Sequence, residues 1–177
     1  MRKELIIELG ETSKDLFETL SLFTQDEFNK IPFEGSWTAG QVAEHLFKSD
    51  SNIPKVLNGS SEETQRDPFQ HVGLIRKVFL DYTIKLQSPE FILPSNEPKN
   101  RDEFIEGFKK TRHELTNLAA TLDLNRTFTS FSFPQLGNLT GWELVSFAVC
   151  HSKRHIRQMK IIAEKLKAAD GHINDAA

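Results

Sequence analysis

The sequence has little cysteine: Cys150 is the single thiol among 177 residues. One thiol cannot form an intramolecular disulfide, so a disulfide framework is excluded and a reducing compartment is compatible with the composition. The chain also lacks a run of about 18 apolar residues, which excludes a candidate membrane-spanning helix. Residues 1–4 lack the apolar core and cleavage site of a signal peptide. We therefore expect a cytoplasmic protein.

Neither sign of charge dominates the chain. There are 22 basic and 25 acidic residues, which gives a net charge of -3 at pH 7. Without an excess of positive charge or a basic stripe, the composition gives no basis for nucleic-acid binding. Three common signatures are also missing: a glycine-rich phosphate loop, a Gly-x-Ser-x-Gly elbow and a Cys-x-x-Cys pair. Any catalytic or binding site of this protein must therefore be formed by a different set of residues.

Proline is confined to a few positions. None of the 7 prolines lies within residues 1–31, 99–133 or 135–177. Because proline breaks the interior of a helix, these stretches can form long helices. A chain of this length is expected to form one domain. We place that domain at residues 1–168 and expect a flexible tail at 169–177.

Apolar residues recur at helical spacing in five stretches, which predicts an all-α protein. These stretches span residues 3–22, 38–57, 68–86, 101–123 and 140–168. Thr38 with Gln41, and Thr140 with Glu143, fit capping boxes at the starts of the second and last helices. Pro54 is expected to kink or end the second helix. The phenylalanines within residues 123–139 predict a short strand or a lid.

Two histidines, His151 and His155, lie on the apolar face of the last predicted helix. Residues four apart are neighbours on a helix, so both imidazoles can reach one metal ion. Core packing is the alternative for an isolated pair, but an unsatisfied buried imidazole costs roughly 1–3 kcal/mol. His45 lies at the edge of the apolar face of another helix. Three imidazoles suit Zn, Ni, Fe or Cu and leave a coordination position open, as in catalytic sites.

The other candidates for a site have competing interpretations. We expect His71 and His113 on exposed or boundary faces and His172 in the tail, so none is favoured as a ligand. Cys150 points about 100° away from His151 on an ideal helix, which favours a buried, inert thiol over a nucleophile.

Charged residues near the histidines also allow two interpretations. Asp50 could support the ligands from behind, or it could serve as a cap or face solvent. Arg154 and Arg157 either belong to a solvated face or border an anionic substrate. We expect both tryptophans, Trp37 and Trp142, to be largely buried at the starts of the two histidine-bearing helices.

Two segments resemble signatures of the DinB-like superfamily. The segments are Gly35-Ser36-Trp37-Thr38 followed by Gln41-Val42-Ala43-Glu44-His45-Leu46, and Gly137-Asn138-Leu139-Thr140 followed by His151-x-x-Arg154-His155-x-x-Gln158-Met159. They occur in the family's order, and the resemblance spans nearly the whole chain. Members often carry His-Pro before the later turn, whereas this chain has Phe133-Pro134. Any role of that histidine is therefore absent.

The resemblance implies a DinB/YfiT-like four-helix bundle with a long crossover. Residues 68–86 would form an extra short helix on the outside or at one end. It also implies that His45, His151 and His155 bind a divalent metal, Zn, Ni or Fe. Arg154 and Gln158 are the candidates for contact with a cofactor.

Relatives of known activity imply a metal-dependent thiol S-transferase that acts on a small, apolar electrophile with a low-molecular-weight thiol. The alternatives are a metal-dependent hydrolase and a non-catalytic, metal-binding stress protein. No general base is evident beside the histidines, which favours thiol transfer slightly. Family members often dimerise, so a homodimer is possible. An enzyme should have a cleft of a few hundred Å³ that opens onto the metal.

Overall fold

The computed structural model describes residues 1–174, with side chains up to residue 169, and is mainly helical, which confirms the predicted all-α class. Within these residues the helices are α1 (Arg2–Leu20), α2 (Gln25–Asn29), α3 (Ala39–Asp50), α4 (Asn52–Leu57), α5 (Val72–Leu80), α6 (Arg101–Thr121) and α7 (Gly141–Asn174). The strands are β1 (Ser61–Glu62), β2 (Thr127–Phe133) and β3 (Gly137–Thr140). None of the described helices is both long and apolar enough to cross a membrane.

Four helical units form the bundle. Helices α1 and α3 each pack against both α6 and α7, and α4, which follows α3 in the chain, also packs against α6 and α7. These are the four units that the sequence predicts. The last helix extends to Asn174, past the predicted end at residue 168. Residues 175–177 of the expected flexible tail lie outside the described residues.

The helix predicted at residues 38–57 is divided at Ser51. Proline lacks an N–H group, and its ring clashes with the carbonyl four residues earlier, which here is that of Asp50. Pro54 therefore cannot continue α3, and it lies instead in the first turn of α4. An N–H at that position needs no partner within the helix. The expected kink at Pro54 is thus a break three residues earlier.

The crossover between α4 and α6 contains α5, which packs along α7. Helix α5 is shorter than the predicted 68–86, because it begins at Val72 and ends at Leu80. There the carboxylate of Asp81 accepts hydrogen bonds from the N–H and the hydroxyl of Thr83, at 3.0 and 2.6 Å. Such a local turn competes with helical hydrogen bonding. Residues 81–93, called here the 81–93 segment, then run mostly without regular structure.

A small antiparallel sheet closes one side of the bundle, in the order β1-β2-β3. Strand β2 lies within the phenylalanine-rich stretch at residues 123–139, for which the sequence allows a short strand or a lid. The β2–β3 hairpin turns through Gln135 and Gly137, whose φ angles are 65° and 70°. These left-handed conformations are easy for glycine and uncommon for other residues. The hairpin places its phenylalanines beside α4 and α7.

The apolar core of the bundle is divided in two by a polar layer. One cluster surrounds Leu9 and Leu115, and the other surrounds Leu16 and Phe108. Between them every bundle unit contributes buried polar side chains: Thr12, Ser13, Ser49, Asp50, Thr111, Arg112, His151 and Ser152. The histidines therefore lie at the level of this polar layer, between the two leucine-containing clusters.

Candidate metal centre

Capping boxes fix the starts of the two helices that carry the histidines. The Thr38 hydroxyl accepts from the Gln41 N–H at 3.1 Å, and the Gln41 amide oxygen accepts from the Thr38 N–H at 3.0 Å. Thr140 and Glu143 make the same reciprocal pair at the start of α7, at 3.3 and 2.9 Å. Because both helix starts are held, the positions of the histidines along the two helices are defined.

The structure brings His45, His151 and His155 together. Their ligand atoms all lie within 4.8 Å of one another, and the three side chains are buried. His151 Nε2 is 3.2 Å from His45 Nε2 and 3.0 Å from His155 Nε2. Helical spacing predicts that His151 and His155 are neighbours, the structure adds His45 to them, and ligation of a metal stays a prediction.

Hydrogen bonds at Nδ1 of His45 and His155 determine that Nε2 is the nitrogen with a lone pair available for a metal. His45 Nδ1 lies 3.0 Å from the carbonyl oxygen of Ile92, which only accepts hydrogen bonds. His45 Nδ1 therefore carries the proton, and Nε2 presents a lone pair. His155 Nδ1 donates in the same way to the Gln158 side-chain oxygen at 2.9 Å. Such outer hydrogen bonds orient imidazoles toward a metal.

Burial keeps the three imidazoles neutral. It lowers the pKa of His45, and it lowers the pKa of His151 far below the ordinary value. Burial, together with nearby His45, lowers the pKa of His155 to about 3. Neutral imidazole is the form that binds metal ions, so the ligands need not lose protons first.

The donor set fits a divalent cation. Nitrogens bound at about 2.0–2.1 Å in a tetrahedral site are separated by about 3.3 Å. The two measured Nε2–Nε2 separations, 3.0 and 3.2 Å, are close to that value. His45 and His155 both direct lone pairs at His151, which can donate one hydrogen bond at most. A cation among the three nitrogens satisfies all of them.

Aromatic rings pack around the cluster. The ring of His151 stacks on Phe147 with centroids 5.0 Å apart and meets Phe79 edge-on at 5.7 Å. Trp37 contacts His45, with ring centroids 5.4 Å apart. Trp142 is buried, as predicted, but Trp37 is only half-buried. Trp37 also forms part of the wall of the second cavity at the site.

Asp50 is neither a cap nor exposed. It is fully buried and receives a hydrogen bond from Arg112, whose guanidinium also donates to Ser152. Burial outweighs the nearby guanidinium and raises the pKa of Asp50 to about 6. One sequence signal indicates a buried position for Arg112, because it lies four residues after Phe108 and three before Leu115, on the core face of its helix.

Arg154 and Gln158, the candidates for cofactor contact, both make hydrogen bonds within the protein. Arg154 donates to the carbonyl oxygens of Asp81, at 2.9 Å, and of Ile84. It therefore holds the start of the 81–93 segment against α7. Gln158 orients His155, as described above. Both remain at the wall of a cavity.

The remaining histidines lie apart from the cluster. His113 is exposed and contacts Asn117 at 3.1 Å. His71 precedes α5, and its backbone N–H donates to Glu143 at 2.8 Å. The side chain of His172 lies outside the described residues. Cys150 is buried, and burial raises the pKa of its thiol to about 11, in keeping with an inert residue.

Besides capping α7, Glu143 forms a buried ion pair with Arg66 of the crossover. Its fully buried carboxylate accepts two hydrogen bonds from Arg66, each 2.7 Å long. The pKa of Glu143 is lowered because the Arg66 guanidinium and two backbone N–H groups outweigh its desolvation. The start of the crossover is thereby fixed to the start of α7.

Two cavities border the histidine cluster, and their chemistry differs. The first, called here the apolar chamber, has a volume of about 450 Å³ and lies between α4, α5, the β2–β3 hairpin and the 81–93 segment. His45 lines it. The second, the basic chamber, has a volume of about 710 Å³ and is lined by His151 and His155 together with Arg154 and Arg157.

Comparisons with known proteins agree with this architecture. The chain is 24% identical over 160 residues to the uncharacterized protein YuaE of Bacillus subtilis, and the alignment covers 90% of this chain and 98% of that relative. No solved structure matches the chain significantly. The family model of the DinB superfamily matches residues 8–159. The protein therefore belongs to the DinB superfamily.

Proposed function

We propose that this protein is a divalent-metal-dependent S-transferase that joins a low-molecular-weight thiol to a small electrophile. The observation that carries the proposal is the position of the three histidines between two cavities of unlike chemistry. A reaction between a polar and an apolar substrate needs two such compartments that meet at the reacting atoms. The proposal places the protein in the cytoplasm, where such thiols are kept reduced.

His45, His151 and His155 would hold the cation. When bound there, it supplies positive charge that favours the thiolate, the nucleophilic form of a thiol. The chain's contribution is to present three neutral imidazoles in fixed orientations. Gln158 and the Ile92 carbonyl hold two of those rings by their Nδ1 protons. Because the three imidazoles are already neutral, none of them has to lose a proton before it binds the cation.

The two chambers give each substrate a place. Lys85, Arg154 and Arg157 line the basic chamber, so it suits a thiol that carries negative charge. The electrophile occupies the apolar chamber. With an alkyl halide, the thiol proton leaves to solvent, the sulfur forms a bond to carbon, and the carbon–halogen bond breaks. The halide departs with the electron pair of that bond.

The lining of the chambers favours transfer over hydrolysis. Among the described residues that line either chamber there is no aspartate or glutamate. The buried carboxylate of Asp50 is engaged by Arg112. Activation of water commonly relies on a carboxylate or histidine base, whereas attack by a thiolate needs none. A site with two adjoining cavities also differs from a closed structural metal site.

A thiol screen tests the proposal. Metal-loaded protein is mixed with each of several biological thiols and benzyl bromide, and the thioether is measured by mass spectrometry. We expect thioether formation faster than the uncatalysed reaction, an acceleration that requires the metal, is abolished by chelator and by the His155→Leu substitution, and is preserved by His113→Gln. Hydrolysis of esters without any thiol dependence would favour the hydrolase instead. Metal binding without either reaction would favour a non-catalytic protein.

A further inference from the structure

The apolar chamber is lined mainly by hydrophobic side chains. Ile53 and Ile75 come from α4 and α5, are buried at 3% and 1% exposure, and contribute to the floor. Phe147, from α7, is buried at 5% exposure. Among the described residues that line the chamber, Lys85 is the one charged side chain, and it is exposed. A charged ligand would find no buried counter-charge there.

Aromatic rings form an unbroken series from the surface to the histidine cluster. Phe91 meets Phe131 at 6.0 Å, Phe131 meets Phe133 at 5.5 Å, and Phe133 meets Phe147 at 4.6 Å between ring centroids. These three pairs are edge-to-face. The series ends where Phe147 stacks on His151. Edge-to-face walls of this kind favour a further aromatic ring over a flexible chain of equal volume.

The volume limits the size of the occupant. An apolar cavity of about 150 Å³ binds one benzene. The apolar chamber, at about 450 Å³, has three times that volume. Two or three fused rings therefore fill it, whereas a single ring leaves much of the wall without contacts.

We propose that the apolar chamber is the binding site for an uncharged aromatic ligand of two or three fused rings, presented with its reactive carbon toward His45. The assignment of this ligand as the electrophile rests on the proposed function; its binding in the chamber does not. Phe131 and Phe133 lie on the hairpin, while the other walls belong to helices and the 81–93 segment. These two residues therefore select for ring size, since shortening them enlarges the chamber on one side.

Displacement of a fluorophore tests the site without any reaction. The uncharged dye N-phenyl-1-naphthylamine, which emits more strongly in apolar surroundings, is titrated with the full chain, both metal-free and metal-loaded. We expect binding, displacement by 2-naphthalenemethanol, and at least about 10-fold weaker displacement by 2-naphthoate, because burial of an unpaired carboxylate is unfavourable. Equal displacement by the alcohol and the acid would overturn the inference.

A matched pair of variants locates the dye. Leu74 lines the chamber and is 48% exposed, and Leu22 lies outside its lining and is 43% exposed. Leu74→Trp fills the chamber from an exposed position and should weaken dye binding by at least about 10-fold. Leu22→Trp should change it by less than about 2-fold. Dye affinity that is the same in both variants would place the ligand elsewhere.

The hairpin and the proposed reaction are tested separately. Phe133→Ala removes one wall ring and should weaken binding of the two-ring ligand while it strengthens binding of anthracene relative to naphthalene. An unchanged ratio would contradict the selective role of the hairpin. Dye binding without acceleration of thioether formation from 1-(bromomethyl)naphthalene would refute the proposed function alone. Such acceleration without dye binding in the chamber would refute this inference alone.

Discussion

Acid should destabilise the metal-free protein between pH 7.5 and 5.5, because its buried histidines resist protonation. His151 and His155 are buried, and burial lowers the pKa of both rings. In the unfolded chain each ring titrates near 6.5. As the pH falls below that value, the unfolded state binds protons that the folded state excludes. The free energy of unfolding therefore decreases as the pH falls.

The size of the loss follows from linkage. Between pH 7.5 and 5.5, a histidine that stays neutral in the folded state loses about 1.4 kcal/mol of stabilisation. The pKa of His155 is about 3, and that of His151 is lowered further from the ordinary range, so the two together lose about 2.7 kcal/mol. Asp50 opposes them: its pKa is raised to about 6 by burial, so its protonation returns about 0.8 kcal/mol.

The net expectation is a loss of about 2 kcal/mol, to which His45 adds because its pKa is also lowered by burial. Urea denaturation of metal-free protein at pH 7.5, 6.5 and 5.5 measures it. His155→Leu should reduce the loss by about 1.4 kcal/mol, and His113→Gln, at an exposed position, should leave it unchanged. Stability that is constant over this range, or a loss that is equal in the wild type and His155→Leu, would refute the reasoning.

Three further predictions concern residues that hold the site. Gln158→Leu should weaken metal binding about 10–100-fold, because His155 loses its orienting acceptor; Gln158→Glu should retain affinity in a chelator competition, and equal losses in both would contradict the role. Glu143→Ala should lower the free energy of unfolding by about 2–4 kcal/mol in urea, since Arg66 and two N–H groups lose their acceptor; a loss below about 1 kcal/mol would indicate a weak surface pair. Arg154→Leu should speed amide exchange in residues 79–86 while leaving metal affinity unchanged, and unaltered exchange would show that this segment is held by other contacts.

The helices and the histidine cluster were predictable because their signals are local. Capping residues, helical spacing and proline positions act within a few residues of one another, and the two histidines of α7 are fixed by helix geometry alone. Only His45 required long-range information. The resemblance to a known family supplied it.

The buried pair of Asp50 and Arg112 could not be predicted, because its members meet across the bundle. They lie on different helices, 62 residues apart, and the position of Arg112 on the core face does not identify its partner. The use of Arg154 to hold backbone carbonyls depends on where the 81–93 segment lies. That path is set by tertiary contacts and by the turn at Asp81, which shortens α5 relative to its apolar pattern.

The carbonyl of Ile92 makes the metal centre and the apolar chamber parts of one thermodynamic system. This residue orients His45 through its backbone oxygen and lines the apolar chamber. Any ligand that shifts this wall changes the free energy of holding the imidazole in place. Linkage is reciprocal, so a ligand that alters metal affinity by some factor has its own affinity altered by the metal by the same factor. Occupancy of the chamber would then be communicated to the cation site without contact between the two bound species.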